Sequence, residues 1–140
     1  MLTVPAMHSR REKPSPRVSC ASNLRQIGLA LAMYADKYGD KIPPETGANG
    51  LDHLREIVAA PKIFHCPKDQ TRREPRPDEV LTEDTVSYEY IGGVWQGTNE
   101  APVCWDKPGN HGGDGLNVLF NDGHVEFMKL DRWAALQKKN

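Results

Sequence analysis

The sequence has little apolar material and no long apolar run. Apolar residues make up 38% of its 140 residues, and no segment approaches the roughly 20 apolar residues that cross a bilayer. Residues 1–7 have no basic lead and too short an apolar stretch for a secretory signal peptide. The 12 glycines and 11 prolines show no period, which excludes a collagen-like chain. The length and composition predict one domain that folds in water.

Cysteine is also scarce. Three cysteines allow one internal disulfide at most, and no C-x-x-C pair is present. The sequence therefore disfavours a zinc ribbon and a thioredoxin-type redox motif.

Neither sign of charge dominates the chain. The 18 basic and 19 acidic residues give a net charge of −1, which argues against a general nucleic-acid binder. Basic residues nevertheless crowd the region from Arg10 to Arg25, in which Glu12 is the one acid. We interpret this region as a solvated basic arm and expect no nucleic-acid partner.

The clearest pattern predicts a long helix from about Ser19 to Tyr38. Apolar residues recur there at steps of three and four, which places them on one helical face. Leu29 and Met33 are expected to widen this face. Ser19 or Ser22 is a candidate N-cap, and a glycine follows at the predicted end. The residues of the apolar face are Cys20, Leu24, Ile27, Leu31, Tyr34 and Tyr38.

Shorter elements are predicted in the middle of the chain. A second helix is expected over Leu51–Ala60, because apolar residues repeat on one face until Pro61. Residues 63–65 and 86–91 are strand candidates. The segment between them, 67–84, is dense in charge and proline and is predicted to be a surface loop.

The end of the chain predicts a hairpin and a final helix. Two apolar runs, 116–120 and 124–128, flank the turn Asn121-Asp122-Gly123, in which glycine supplies the positive φ of a primed turn. A helix over 132–139 follows, with Asp131 as its candidate cap. A long helix, a short helix and then antiparallel strands predict an α+β fold.

Four blocks of the sequence form a recognisable set, namely Cys20–Asp36 followed by Pro43-Pro44, Phe64–Asp69, Ser87–Tyr90 and His111–Val125. Together they resemble type IV pilin-like proteins, including the pseudopilins of type II secretion. They follow the order found in prepilin-type proteins and reach from Cys20 to about Phe127. In the last block, His111, Asp122 and Gly123 resemble a His-to-Asp-Gly signature, although ten residues separate the histidine from the aspartate, one more than is usual for it.

The resemblance implies a pilin-like fold. A long N-terminal helix would pack on a small antiparallel sheet, accompanied by a short second helix and a short C-terminal helix. Residues 1–17 would be a flexible basic arm left from the junction with a membrane helix, and residues 18–140 a single globular domain. The membrane helix itself is not in the sequence, although residues 1–7 resemble its end.

The resemblance also implies a structural role, that of a pseudopilin or minor pilin in a type II secretion or type IV pilus-like assembly of the cell envelope. The expected partners are other pilin-like subunits and the inner membrane, which the N-terminal helix would enter, leaving this domain extracytoplasmic. An alternative is an extracytoplasmic binding module on the same scaffold, which could stack glycans on Trp95 and Trp105. No enzymatic activity is expected, because no motif pairs a cysteine nucleophile with a histidine base.

Two disulfide pairings are open. In the oxidising envelope that the resemblance implies, a Cys20–Cys66 bond would join the helix to the sheet, and it is favoured over Cys66–Cys104. The third possibility is three reduced, buried thiols that act as small apolar side chains.

The sequence contains side chains of the types that bind calcium or zinc, and no other cofactor is expected. Calcium would find hard oxygen ligands around the glycine turns at Asp114, Asn117, Asn121 and Asp122, although tight turns need the same residues. Zinc is disfavoured, because its candidates lack the close paired spacing of a zinc motif. The zinc candidates are His65, Cys66, Cys104, His111 and His124.

Overall fold

The computed structural model describes residues 15–93, 95 and 101–139. Its first element, α1 (Pro16–Lys37), begins before the predicted Ser19. The Ser15 hydroxyl caps it by accepting a hydrogen bond from the Val18 N–H, and Pro16 occupies the first turn, where its missing N–H costs no helical bond. The predicted caps Ser19 and Ser22 therefore lie inside the helix.

The predicted basic arm is described in part. Residues 1–14 lie outside the described residues. Pro16 and Arg17 belong to α1, so the helix begins within the segment expected to be an arm. The Arg17 guanidinium lies over the ring of Phe127, 3.6 Å from its centre, which adds a cation–π contact between α1 and the sheet.

One face of α1 supplies much of the main core. Cys20, Leu24, Ile27 and Leu31 are all fully buried, as the periodicity predicts. The prediction that Leu29 and Met33 widen this face is wrong, because they are 67% and 60% exposed. Tyr38, at the predicted end of the face, is 50% exposed and follows the last helical residue. The covered face is therefore narrower than the apolar pattern.

The middle of the chain differs from its predicted elements. The second helix, α2 (Gly47–Asp52), lies earlier than the predicted Leu51–Ala60. Its Ala48 N–H, which has no partner inside the helix, donates to the Glu83 carboxylate at 2.7 Å. Turns follow α2, and the predicted strand at 63–65 is instead a 3₁₀ turn over Pro61–Phe64. Residues 67–84 contain no helix or strand, as predicted for a loop. The prediction that this loop lies at the surface is wrong in part, because Asp69 is buried and Leu81 belongs to the main core.

The sheet is a four-stranded antiparallel meander in the order β1-β2-β3-β4. Strand β1 (Tyr88–Tyr90) is shorter than the predicted 86–91, and β2 (Pro102–Asp106) was not predicted. Strands β3 (Leu116–Phe120) and β4 (Val125–Met128) form the predicted hairpin. Tyr88 pairs with Asp106 across β1 and β2, which fixes the register of this part of the sheet.

The hairpin turn holds three residues rather than a two-residue primed turn. The Gly123 N–H donates to the Phe120 carbonyl, and the Phe120 N–H donates to the His124 carbonyl, both at 2.9 Å. Gly123 has a φ of +94°, a backbone conformation that residues with a side chain rarely adopt. These bonds describe a type I turn followed by a glycine bulge.

The sheet is covered on both faces. Helix α1 and the main core lie on one face, with Val103, Cys104 and Leu119 from the central strands. Helix α3 (Leu130–Lys139), which begins two residues before its predicted start, packs on the other face through Trp133. A long helix, a four-stranded antiparallel sheet and short helices confirm the predicted α+β fold. Among the helices of the described ranges, none is long and apolar enough to span a bilayer.

Candidate functional site

A disulfide joins α1 to the start of the central loop. Cys20, in the second turn of α1, is bonded to Cys66, which follows the 3₁₀ turn, and both residues are fully buried. This is the pairing that the sequence favoured over Cys66–Cys104. Cys104 is a free, buried thiol in β2. The bond ties the long helix covalently to the segment that leads into the sheet.

The Cys66–Asp69 block forms a turn around a buried carboxylate. Asp69 Oδ1 accepts hydrogen bonds from the Thr71 N–H and hydroxyl at 3.0 and 2.8 Å and from the Arg72 N–H at 3.2 Å. Its Oδ2 accepts one from Arg72 Nη1 at 3.0 Å. The Asp69 side chain is 1% exposed, so almost all of its hydrogen bonding comes from the protein.

Ser87 joins this turn to the sheet. Its hydroxyl donates to Asp69 Oδ2 at 2.8 Å and accepts from the Cys66 N–H at 2.8 Å. Its backbone N–H donates to the Phe64 carbonyl at 2.9 Å. The second and third sequence blocks are therefore held together through one serine.

The hydrogen bonds also set the ionisation of Asp69. Burial by itself would raise the pKa of this carboxyl, but hydrogen bonds from Ser87, Thr71 and Arg72 to the charged form outweigh it and hold the pKa well below its usual range. Asp69 therefore stays ionised in the folded protein as the pH falls below neutral.

Replacing Asp69 by asparagine is expected to cost about 1.5–3 kcal/mol of unfolding free energy near neutral pH, because hydrogen bonds to a charged group are lost. The folded pKa is below the unfolded value of about 4, so the unfolded chain takes up the proton first. The stabilisation is complete above about pH 5 and is lost progressively below about pH 4. Urea unfolding of both proteins should be measured from about pH 6 to about pH 3. The difference between their free energies of unfolding should shrink as the pH falls.

Asp36→Asn is the matched control for that prediction, since Asp36 is an exposed carboxylate on α1. Its unfolding free energy should stay within about 0.5 kcal/mol of the unaltered protein across this range. A difference between Asp69→Asn and the unaltered protein that is constant with pH would contradict the role given to the carboxylate.

Asn23 connects α1 to the same region. Its Nδ2 donates to the His65 carbonyl at 3.1 Å and to Tyr88 Oη at 3.0 Å. Burial raises the pKa of Tyr88 well above its usual value, so this hydroxyl stays neutral. Tyr90, on the same face of β1, donates to the Pro43 carbonyl at 2.6 Å. The Ser87–Tyr90 block therefore contacts both α1 and the Pro43-Pro44 segment.

The loop between β2 and β3 brings His111 to the disulfide. Asn110 Nδ2 donates to the Ser87 carbonyl at 2.8 Å, which fixes the loop on the sheet. His111 follows, between two glycines with positive φ at 109 and 112, and its side chain is 7% exposed. His111 Nε2 lies 3.1 Å from Asp106 Oδ2 and 3.8 Å from Cys66 Sγ.

Asp106 is a second buried carboxylate, at the end of β2. Its Oδ2 accepts from the Asn117 N–H at 2.7 Å and from Asn117 Nδ2 at 3.0 Å. Asn117 Nδ2 also donates to the Arg17 carbonyl of α1 at 3.1 Å. Asp106 is 1% exposed, and in the described part of the chain no group donates a hydrogen bond to its Oδ1.

The structure does not gather the proposed calcium ligands. Asp114 precedes β3, whereas Asp122 follows it, so the five-residue strand separates them. Asn117 lies within β3, and its side chain donates to the Asp106 carboxylate. The Asn121 N–H donates to the Ala101 carbonyl. These positions serve the turns and the strand pairing, which is the other interpretation of the same residues.

The His-to-Asp-Gly signature is likewise divided between the two ends of the sheet. His111 lies by Asp106, at the end of β2, whereas Asp122 and Gly123 form the turn between β3 and β4. The Asp122 carboxylate accepts from the His124 N–H at 3.0 Å and lies 2.6 Å from His124 Nδ1. The signature residues therefore belong to two separate sites.

Trp95 and Trp105, the two tryptophans expected to line a glycan-binding cleft, do not lie on one surface. Trp95 is 6% exposed and belongs to the core on the α1 side. Trp105 packs against Trp133 of α3 on the other side, with ring centres 4.9 Å apart. Both rings fill cores, and the described residues do not place them along one cleft.

Sequence reasoning missed Asp106, the residue that organises the His111 side of the site. Its signal is a lone carboxylate at the end of the apolar run Val103-Cys104-Trp105, since a charge in a buried strand requires a partner. The partners, Asn117 and His111, are distant enough in sequence that the pattern does not identify them. Ser87, Asn23 and Asp69 stand in the resembling blocks, but their hydrogen bonds likewise follow from the fold.

A family model described as "Protein of unknown function (DUF1559)" matches residues 15–56, less than a third of the chain. The matched segment contains α1, with Cys20 and Asn23, and α2. The match is consistent with a pilin-like or extracellular protein. No curated protein and no solved structure matches the chain.

Proposed function

We propose that this chain is the globular domain of a pseudopilin or minor pilin-type subunit in a type II secretion or type IV pilus-like assembly of the cell envelope. The observation that carries the proposal is that α1 lies on an antiparallel meander, with one face buried and the other in solvent. In such an assembly a segment ahead of α1 would enter the inner membrane, and the sheet would lie outside it.

The outer face of α1 supports this role. Three of its apolar side chains, Val18, Leu29 and Met33, are 53%, 67% and 60% exposed. They follow one another along the solvent-exposed side of the helix, together with exposed Arg25 and Asp36. An apolar stripe with a charge of each sign is suited to packing against a neighbouring subunit.

The Cys20–Cys66 bond supports an extracytoplasmic location. Structural disulfides form and persist in oxidising compartments and are rare in reducing ones. The bond is fully buried, which fits a structural crosslink rather than a catalytic one.

We propose a structural rather than catalytic role for the cysteines. Burial raises the pKa of the Cys104 thiol, and the Asp106 carboxylate raises it further, so the nucleophilic thiolate is disfavoured. Cys66 is near His111, but its sulfur is bonded to Cys20. Neither sulfur is a ready nucleophile.

Site-specific photo-crosslinking in the native cell tests the proposal. A photoreactive amino acid at Leu29 should crosslink the protein to pilin-like subunits in the envelope fraction. The same amino acid at Leu130 is the control, because Leu130 is 48% exposed but lies on α3, across the sheet. Equal crosslinking from both positions, or crosslinks only to proteins of the cytoplasm, would overturn the proposal.

A further inference from the structure

Strand β4 is an edge of the sheet, and in the described part of the chain it pairs with β3 alone. Hydrogen-bonded pairs alternate along two antiparallel strands, and the Phe120 N–H donates to the His124 carbonyl. By this alternation the backbone N–H and C=O of Glu126 point towards β3. Those of Val125 and Phe127 point away from β3, so the outer side of β4 offers two donors and two acceptors.

A small cleft lies between this edge and α1. It has a volume of about 180 Å³, and the side chains of Val125 and Phe127 form its β4 side. They face α1 because they lie on the same face of the sheet as their cross-strand neighbours Leu119 and Asn117. A strand added to this edge would place every second side chain over the cleft. The rest of the lining is Arg17, Val18, Ala21, Arg25 and Asn117.

The charge of the cleft selects its occupant. Arg17 and Arg25 are exposed, and among the described residues no carboxylate forms an ion pair with either guanidinium. The Arg17 guanidinium is held over the Phe127 ring, 3.6 Å from its centre, and so is fixed beside the outward backbone of β4. Two cations without a counter-charge beside an apolar cleft favour an occupant that carries carboxylates.

We propose that the β4 edge binds an extended acidic segment of another protein, which adds to the sheet as an antiparallel fifth strand. The backbone groups of Val125 and Phe127 bond to this strand. Its two residues opposite them carry carboxylates towards Arg17 and Arg25. The residue between these two lies beside Glu126, on the other face of the sheet, and is therefore uncharged or basic.

A second copy of this chain is a poor occupant of the same edge. If two β4 strands paired antiparallel through the outward groups of Val125 and Phe127, the Glu126 side chains of the two copies would lie directly opposite each other. Like charges at such positions destabilise a pair of strands. A charged side chain in an edge strand is also a common protection against pairing of identical edges. The occupant is therefore a different, acidic segment.

The probe is a short blocked peptide of alternating glutamate and threonine, titrated into the purified protein by calorimetry. We expect saturable binding, weakened at least about fivefold when glutamine replaces each glutamate, because the ion pairs are lost. N-methylation of the glutamate residues should weaken it similarly, because their N–H groups face β4. N-methylation of the threonine residues is the matched control and should leave binding unchanged, because their N–H groups face outward.

Amide hydrogen exchange, followed by NMR, tests the edge itself. The N–H groups of Val125 and Phe127 should exchange rapidly in the free protein and at least about tenfold more slowly when the peptide is bound. Glu126 is the internal control, because its N–H already faces β3 and should change little. Slowed exchange of Val125 and Phe127 in the chain alone, at rising concentration, would assign the edge to a second copy and overturn the proposal.

Charge reversal on α1 tests the arginines. Arg25→Glu should weaken peptide binding at least about fivefold. Lys37→Glu, an equal charge change at an exposed position of the same helix, should bind as the unaltered chain does. The proposal is overturned if the peptide does not bind, if the glutamine or N-methyl-glutamate peptide binds as tightly, if the edge amides are unaffected by saturating peptide, or if the two variants bind alike.

This inference is separate from the proposed assembly role, although Val18 and Arg25 belong to both surfaces. Peptide binding by the purified domain requires no assembly, and crosslinking from Leu29 in the cell requires no added strand. Failure of one experiment therefore leaves the other result standing.

Discussion

Replacing both Cys20 and Cys66 by alanine is expected to lower the free energy of unfolding by about 4 kcal/mol. The bond closes a loop between residues 46 positions apart. In the chain-entropy account, a loop of that length removes about 4 kcal/mol of conformational entropy from the unfolded chain. The free energy of unfolding of a domain of this size is about 5–15 kcal/mol, so the double variant would keep only part of its stability.

Urea unfolding of the double variant and the unaltered protein measures this loss. Cys104→Ala is the control, because it removes a fully buried sulfur from the same core without breaking a crosslink. It should cost less than the double variant. A reductant should destabilise the unaltered protein but leave the double variant unchanged. Equal stability of the double variant and the unaltered protein would show that the bond does not stabilise the fold.

Leu31→Ala should cost about 2–5 kcal/mol, the range found for leucines removed from packed cores. Leu31 is fully buried on the face of α1 that covers the sheet. Leu29→Ala is the matched control, two residues away on the same helix, where the side chain is 67% exposed. Its unfolding free energy should change by no more than about 0.5 kcal/mol.

Thermal unfolding of the two leucine variants measures which side of α1 is covered. Both variants replace leucine by alanine inside the same helix, so the change in helix propensity is the same in both. The difference between their losses therefore reports the burial of the side chain. Losses of similar size at both positions would mean that α1 does not lie on the sheet along the face described here.

The elements with strong local signals could be predicted from the sequence, and those defined by their neighbours could not. The buried face of α1 and the β3–β4 hairpin follow from periodicity and from the glycine turn. The sequence of β2 shows no alternation of apolar and polar residues, because this strand lies between β1 and β3 and is covered on both faces. The start of α1 depends on the Ser15 cap and on a proline that the first turn tolerates.

The candidate site shows the same division. The sequence could place Cys20 on a buried face and favour its pairing with Cys66. It could not show that Asn110 holds the loop on Ser87 and so brings His111 to Asp106, since these contacts join residues far apart in the chain. Leu29 and Met33 illustrate the opposite error, because an apolar pattern alone does not reveal how wide a face the fold covers.

The position of the disulfide decides how the domain would carry mechanical load. Cys20 lies only five residues after Ser15, and its sulfur is bonded to residue 66. Tension applied at the start of α1 would therefore cross the covalent bond and bypass residues 21–65, including the rest of α1 and all of α2. It would reach the start of the sheet where the Cys66 N–H donates to the Ser87 hydroxyl, next to β1. Helix unravelling would be confined to the first turns, and resistance to pulling would depend on shear at the edge of β1.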